Sequence, residues 1–261
     1  MHEPDLTDLR VTAHRLAEAA REITLKHFRT PLSVISKRAD FDPVTEADRQ
    51  AEAAMRDILA KVRPDDAILG EEQGIKAGTS GLTWVLDPID GTRGYISGTP
   101  TWGVLIAVQD ATGPIYGMID QPFTGERFEG AAGRATWTRG TDSHPIAVRD
   151  TTDLSQATIL TTFPEVGTAK EGAAFHRLAN GCRLTRYGMD CYGYALLAAG
   201  HVDLVVEAGL QPYDIAAPIA VIEAAGGMVT DWQGGSAHDG GQVLAAATPA
   251  LHAKAMEHLN G

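Results

Sequence analysis

Cysteine is almost absent from this 261-residue chain, which has only Cys182 and Cys191, at a spacing that suits no metal site. With no disulfide framework to build, a reducing cytoplasm is the expected compartment. Aromatic residues are scarce at 6%. No apolar run approaches the roughly 20 residues needed to cross a bilayer, and the acidic N-terminus carries no apolar signal core. Basic residues are also in deficit, with 22 Lys and Arg against 34 Asp and Glu and a net charge of −12, which argues against a nucleic-acid backbone or an anionic membrane as partner. Several catalytic signatures are missing: there is no Walker loop, no His-Glu-x-x-His and no dinucleotide glycine fingerprint. Gly78-Thr79-Ser80-Gly81 lacks the spacing of a nucleophile elbow and has no strand leading into it, so a serine hydrolase is rejected. The nine histidines are scattered and read as surface or core residues.

What is present is a globular composition, 44% hydrophobic, able to bury one large core or two modest ones. Its centre is Trp84-Val85-Leu86-Asp87-Pro88-Ile89-Asp90-Gly91-Thr92. Three apolar residues form a short buried strand, and the strand ends in a carboxylate, a proline that cannot extend the ladder, a second carboxylate and a glycine turn. Held on one side of a stiff turn, Asp87 and Asp90 repel unless a cation lies between them, and a hard divalent ion is the natural one. The N–H groups after Asp90, with the Thr92 hydroxyl, suit a phosphate. Asp-Pro and Asp-Gly are also ordinary turn dipeptides. Against that reading, Gly70-Glu71-Glu72 follows the apolar run Ala67-Ile68-Leu69, and Tyr213-Asp214 opens the apolar segment Ile215 to Ala225, so three elements begin or end with an acid beside a turn.

Gly70-Glu71-Glu72, Asp87-Pro88-Ile89-Asp90-Gly91-Thr92 and Tyr213-Asp214-Ile215-Ala216-Ala217, with Lys37 and Thr45-Glu46-Ala47-Asp48 upstream, resemble the signatures of the inositol monophosphatase superfamily of magnesium-dependent phosphatases. Two departures, Tyr213 for the usual tryptophan and Pro218 for a common glycine, remove no ligand. The resemblance implies an αβαβα layered sandwich of mixed α+β and α/β class, usually a homodimer, acting on a small phosphomonoester. It further implies Glu71, Asp87 and the Ile89 carbonyl as ligands of one Mg2+ ion, and Asp87, Asp90 and Asp214 as ligands of a second. A third ion would lie near Glu71 with Asp48 behind it, and Mn2+ is an acceptable substitute. Thr92, backed by Asp48, and Glu71 would orient and deprotonate the attacking water. Lys37 and the following loop would approach the metals. Residues 90–98 and Gly188-Met189-Asp190-Cys191-Tyr192-Gly193-Tyr194 look like the histidinol-phosphate phosphatase branch, which makes Gly91, Thr92, Arg93, Gly188, Asp190 and Glu207 substrate-binding candidates. Asp190 reads equally as a helix cap. An inositol or broad sugar-phosphate or nucleotide phosphatase, and a non-catalytic metal- and phosphoester-binding regulator, remain alternatives.

Along the chain, apolar spacing predicts a helix over 6–28 ending before Pro31, a strand at 34–37, a polar loop over 38–43, and a helix from Thr45 to Pro64 with its stripe on Ala47, Ala51, Ala54, Ile58 and Val62. Residues 74–81 read as a flexible connection, 102–108 and 115–119 as a hairpin, and 126–149 as edge strands. A boundary near residue 150 would divide an N-terminal α+β domain (1–150), with an antiparallel sheet and most metal ligands, from a C-terminal α/β domain (151–261) with Asp214 and the substrate-selecting residues. The second half reads as strand 158–162, helices 171–180 and 192–199, strand 202–206, helix 215–225 and strand 228–230.

Overall fold

The computed structural model describes residues 5–31, 35–36 and 43–261. Lys37 and the stretch 37–42 lie outside the described residues. Asp5 accepts from Thr7 N and starts α1 (Leu6–His27). A two-residue pair, β1 (Ile35–Ser36) and β2 (Pro43–Val44), precedes α2 (Glu46–Val62). Thr45 and Asp48 form a capping box at the start of α2. The buried row of α2 is Ala47, Asp48, Ala51, Glu52, Met55 and Leu59. The expected stripe through Ala54, Ile58 and Val62 is therefore out of phase, because the four-residue row from Ala47 through Ala51 to Met55 and Leu59 faces the sheet and leaves the others on its flank.

Eight strands form the first sheet, in the order β10-β9-β8-β7-β6-β5-β3-β4. They are β3 (Ala67–Gly70), β4 (Gly74–Lys76), β5 (Thr83–Asp90), β6 (Gly103–Asp110), β7 (Gly113–Gln121), β8 (Glu126–Ala131), β9 (Arg134–Arg139) and β10 (Asp142–Ile146), with the short helix α3 (Thr92–Ser97) between β5 and β6. Only β3 and β5 pair in parallel. Residues 74–81 are not wholly a connection: β4 pairs with β3, and the Gly74 carbonyl accepts from Arg56. The second sheet, β12-β11-β13-β15-β14, comprises β11 (Thr158–Thr161), β12 (Leu184–Tyr187), β13 (Leu204–Leu210), β14 (Met228–Thr230) and β15 (Gly241–Ala246). Its helices are α4 (Ala169–Ala179), α5 (Asp190–Ala198), α6 (Pro212–Ala224) and α7 (Pro249–Asn260). β12, β15 and α7 fall outside the sequence-based expectation. β12 is a largely exposed edge, β15 is built mostly of small residues, and α7 buries only Leu251, Ala255 and Leu259.

Side-chain alternation stacks these elements into five layers. On β5 and β6, Trp84, Leu86, Val104, Ile106 and Val108 face α1 and α2, whereas Val85, Leu105 and Ala107 face α5 and α6. On the second sheet, Val205, Val243 and Ala245 face that same central helix layer, while Leu204, Val206, Leu244 and Ala246 pack on α4 and α7. The architecture is thus the expected αβαβα sandwich. Contact is closest where α6 crosses the first sheet. A Cβ on Gly117 would meet the Ala217 carbonyl oxygen at 2.4 Å and one on Gly130 the Ala220 oxygen at 2.5 Å, so helix backbone rests on strand backbone. No helix among the described residues is long and apolar enough to cross a membrane.

β8 is interior and largely buried, not an edge strand as its polar residues suggest. The reason is pairing. Arg127 donates to Asp120 Oδ1 at 2.8 Å and to Glu18 at 2.7 Å. Glu129 accepts from Arg10, His14 and Tyr116. A guanidinium only donates, so its 2.8 Å contact with His14 Nδ1 leaves the imidazole proton on Nε2, facing Glu129. Burial pushes the Glu129 carboxyl up, but the His14 and Tyr116 hydrogen bonds and the Arg10 charge outweigh it and hold it at about 2. Because that folded value lies below the ordinary 4.5, the stabilisation is complete above pH 4.5 and is lost as the pH falls towards 2. Glu129→Gln should therefore cost on the order of 3 kcal/mol at pH 7. The gap in melting temperature between variant and wild type should close between pH 4.5 and 2, whereas a gap independent of pH would place the effect in packing.

Candidate active site

Parallel pairing sets Gly70 opposite Leu86, and Glu71 N donates to the Leu86 carbonyl at 3.2 Å, so the ends of β3 and β5 deliver Glu71 beside Asp87. β5 does not stop at Asp87 as the proline implies. It continues to Asp90 through a bulge, with Asp87 opposite Leu105 and Asp90 opposite Gly103, so one extra residue sits on β5. In an unbroken strand residues three apart face opposite sides, and the added residue returns both carboxylates to one side. Pro88 occupies the bulge, where no ladder N–H is needed. α6 supplies Asp214 in its first turn, behind Pro212.

Carboxylate oxygens of Asp87, Asp90 and Asp214 lie within 4.8 Å of one another. Each acid has one oxygen tied to a backbone N–H: Asp87 Oδ1 accepts from Ile89 at 3.0 Å, Asp90 Oδ2 from Cys191 at 2.6 Å and Asp214 Oδ2 from Gln211 at 2.7 Å. These bonds fix the carboxyl planes. Burial, then the charges of Glu71, Asp90 and Asp214, with a hydrogen bond to Glu71, raise the Asp87 carboxyl well above its ordinary range. Asp90 is raised by burial and by Asp214 and Asp190. Carboxylates crowded at this distance, with no histidine or cysteine among them, fit a hard divalent cation of the magnesium or manganese type, and the residues present match that requirement.

The cluster forms the floor of a cavity of about 1020 Å3, also lined by Ile89, Gly91, Thr92, Arg93, Asp190, Glu207 and Tyr213. Thr92 donates to the Ile89 carbonyl at 3.2 Å. Asp48 lies in the cap of α2, with Oδ2 on Thr45 N at 2.8 Å and on Thr45 Oγ1, and with Oδ1 buried and unpartnered among the described residues. Thr92 and Asp48 are thus not hydrogen-bonded to each other. Burial, helped by the Glu72 charge against the Thr45 hydrogen bonds, pushes Asp48 up to about 6.

Asp190 is not a helix cap in this structure. It is the first residue of α5, at φ 46°, and the N–H of the next residue is capped across the cleft by Asp90. Its own carboxylate accepts from Thr101 at 3.1 Å and presses on the Asp90-Gly91 turn, so that a Cβ on Gly91 (φ 82°) would meet Asp190 Cγ at 2.7 Å. Only glycine fits there. Glu207, on β13, accepts from Thr162 N at 2.7 Å and from the Thr162 and Thr161 hydroxyls, and burial pushes it up to about 7. Gly188 is not brought to the cavity wall, and its N–H spans the Thr161 and Thr162 carbonyls. The structure adds Thr162, Phe163, Glu165 and Tyr194 to the lining, and Arg93 stacks over Phe163 at 5.0 Å. Nothing in their local sequence marks the first three, which sit on an irregular segment after β11.

Residues 5–261 match the inositol monophosphatase family. The chain belongs to that family. It is 43% identical over 236 residues to the chloroplastic bifunctional phosphatase IMPL2 of Arabidopsis thaliana, covering 90% of this chain and 67% of that one. It is 36% identical over 241 residues to a histidinol-phosphatase of Chlorobaculum parvum, covering 92% of each. The solved inositol monophosphatase of Zymomonas mobilis superposes with a TM-score of 0.88 at 39% identity, covering 99% of this chain and all of that one. As an inositol monophosphatase family member the protein is a phosphoric monoester hydrolase. The charge crowding gives an expectation that does not depend on turnover. In chelator, Asp87→Asn should melt higher than the wild type, because one repelling charge is gone while the amide oxygen still accepts from Ile89. It should also gain less on addition of Mg2+. A lower melting temperature in chelator would show that the carboxylates are held together by attraction.

Proposed function

We propose that this protein hydrolyses L-histidinol phosphate to L-histidinol and inorganic phosphate. The observation that carries the choice of substrate is a pair of acids on the cavity wall, half-buried Asp190 against the Asp90-Gly91 turn and buried Glu207, where the alcohol half of a phosphoester bound at that turn would lie. The histidinol-phosphatase relatives support the same reading.

Glu71, Asp87 and the Ile89 carbonyl would hold one Mg2+ ion and Asp87, Asp90 and Asp214 a second, with room for a third near Glu71 and Asp48. Bound there, the ions supply the positive charge that neutralises the phosphate dianion and the leaving alcohol oxygen and makes water acidic. The Thr92 hydroxyl orients the attacking water, and the Glu71 carboxylate takes its proton. Asp48, in the cap of α2, would back that pair. The N–H groups after Gly91 and the Arg93 guanidinium receive phosphate oxygens, and Asp190 with Glu207 receives the amine or imidazole. The acidic surface and the few cysteines fit a small-molecule enzyme of a reducing cytoplasm, and the family resemblance fits a homodimer, which light scattering of the purified protein would measure.

Release of inorganic phosphate from L-histidinol phosphate, inositol 1-phosphate, fructose 1,6-bisphosphate and 3′-phosphoadenosine 5′-phosphate tests the substrate directly. Histidinol phosphate should be turned over fastest, and exhaustive chelation should abolish turnover. Preference for inositol 1-phosphate would move the protein to the inositol reading. A charge-assisted hydrogen bond is worth roughly 1.5–3 kcal/mol, so Asp190→Asn should lower the ratio of kcat/KM for histidinol phosphate to that for p-nitrophenyl phosphate by about 10- to 100-fold. An unchanged ratio would remove Asp190 from substrate selection.

A further inference from the structure

Tyr194 presents a hydroxyl that no group in the structure uses. The residue is 3% exposed, and its hydroxyl oxygen has no hydrogen-bond partner among the described residues. Burying a phenol oxygen without a partner is unfavourable, and phenylalanine would fill the same volume without that penalty. The ring itself is well placed in the core between α5 and α6. The hydroxyl is what lacks a structural purpose.

Its position gives it one. Tyr194 follows Asp190 by four residues on α5, so both project from one face of the helix, and both line the cavity. Glu207 shares the strand parity of Val205 on β13 and therefore faces the same central layer. Burial together with the charges of Glu207, Asp90 and Asp214 raises the phenol well above its ordinary range, so the proton stays on oxygen. The surrounding acids already hold donors: Glu207 has Thr161 and Thr162, Asp90 has the Cys191 N–H and Asp214 the Gln211 N–H. A further carboxylate in this wall would add to the repulsion. A neutral hydroxyl adds acceptor capacity without charge.

We propose that the Tyr194 hydroxyl is a substrate-binding group for the leaving alcohol, accepting a hydrogen bond from an N–H of a cationic amine or imidazole. The wall then reads a cation by charge through Asp190 and Glu207, and reads the direction of one N–H through Tyr194. The proposal deepens the histidinol phosphate reading and rests on it.

Steady-state kinetics of Tyr194→Phe on L-histidinol phosphate and p-nitrophenyl phosphate, with thermal melting of the same Mg2+-loaded samples, test it. The ratio of kcat/KM for the first substrate to that for the second should fall about 10-fold, chiefly through KM, as expected when one buried N–H loses its acceptor. The melting temperature should be equal to or higher than that of the wild type, since an unpaired buried hydroxyl has been removed. An unchanged ratio, or a lower melting temperature with equal losses on both substrates, would assign the hydroxyl to structure and overturn the proposal. A wild type inert towards histidinol phosphate but active on another phosphomonoester overturns the substrate reading, and this proposal with it. A wild type that turns histidinol phosphate over while Tyr194→Phe keeps its ratio overturns the proposal alone.

Discussion

Carboxylates crowded into a low-dielectric pocket repel one another, and much of the structure around the cavity serves to hold them there. Two unit charges 4.8 Å apart interact by on the order of 3 kcal/mol at an effective dielectric near 20. Against that repulsion the fold sets backbone N–H donors of Ile89, Cys191 and Gln211, one on each acid. Hydrogen bonds to charged groups are worth roughly 1.5–3 kcal/mol each, so the two effects are comparable and the acids stay in place. Each bond also spends one oxygen and orients the other. The donors come from a strand bulge and from the starts of two helices, which is why β5, α5 and α6 must all converge on one point.

A second group of buried acids makes the contrast plain. Asp120 and Glu129 are as inaccessible as Asp87, but they face Arg21, Arg127 and Arg10 across the α1 surface of the first sheet. Glu129 accordingly falls to about 2, while Asp87 and Asp90 rise. Burial is shared, and the sign of the neighbouring charge decides which cluster is structural and which awaits a cation. The structural cluster locks α1 onto β7 and β8, and thereby the outer helix layer onto the sheet that carries Glu71, Asp87 and Asp90.

Legibility followed locality. Asp87 and Asp90 were visible because four residues of sequence hold both, and Asp214 because an acid at the start of a wholly apolar helix has no other evident purpose there. α1 was readable to within a residue from its apolar spacing and its cap. The bulge was not: Pro88 signals the end of a strand, and only pairing with β6 shows the ladder resuming at Asp90. β8 was misread as an edge because three of the partners that make Arg127 and Glu129 burial-tolerant, Glu18, His14 and Arg10, lie more than a hundred residues away on α1. Asp190 carried a correct element and a wrong local role, since the cap of α5 comes from Asp90, a residue 101 positions distant. Tyr194 fell within the motif Gly188 to Tyr194 but drew no role of its own, because a tyrosine in an apolar helix is indistinguishable from core until its hydroxyl is found unpaired.

At Gly117 and Gly130 the crossing of α6 over β7 and β8 has no strand side chain in it, and helix carbonyls rest directly on strand backbone. At those two points backbone, rather than side-chain rotamers, sets the distance between the first sheet, which carries Asp87 and Asp90, and the helix that carries Asp214. Substitutions elsewhere in the core can accumulate, change side-chain volumes and be repacked without altering that spacing. The two glycines insulate the reaction geometry from sequence drift elsewhere in the core.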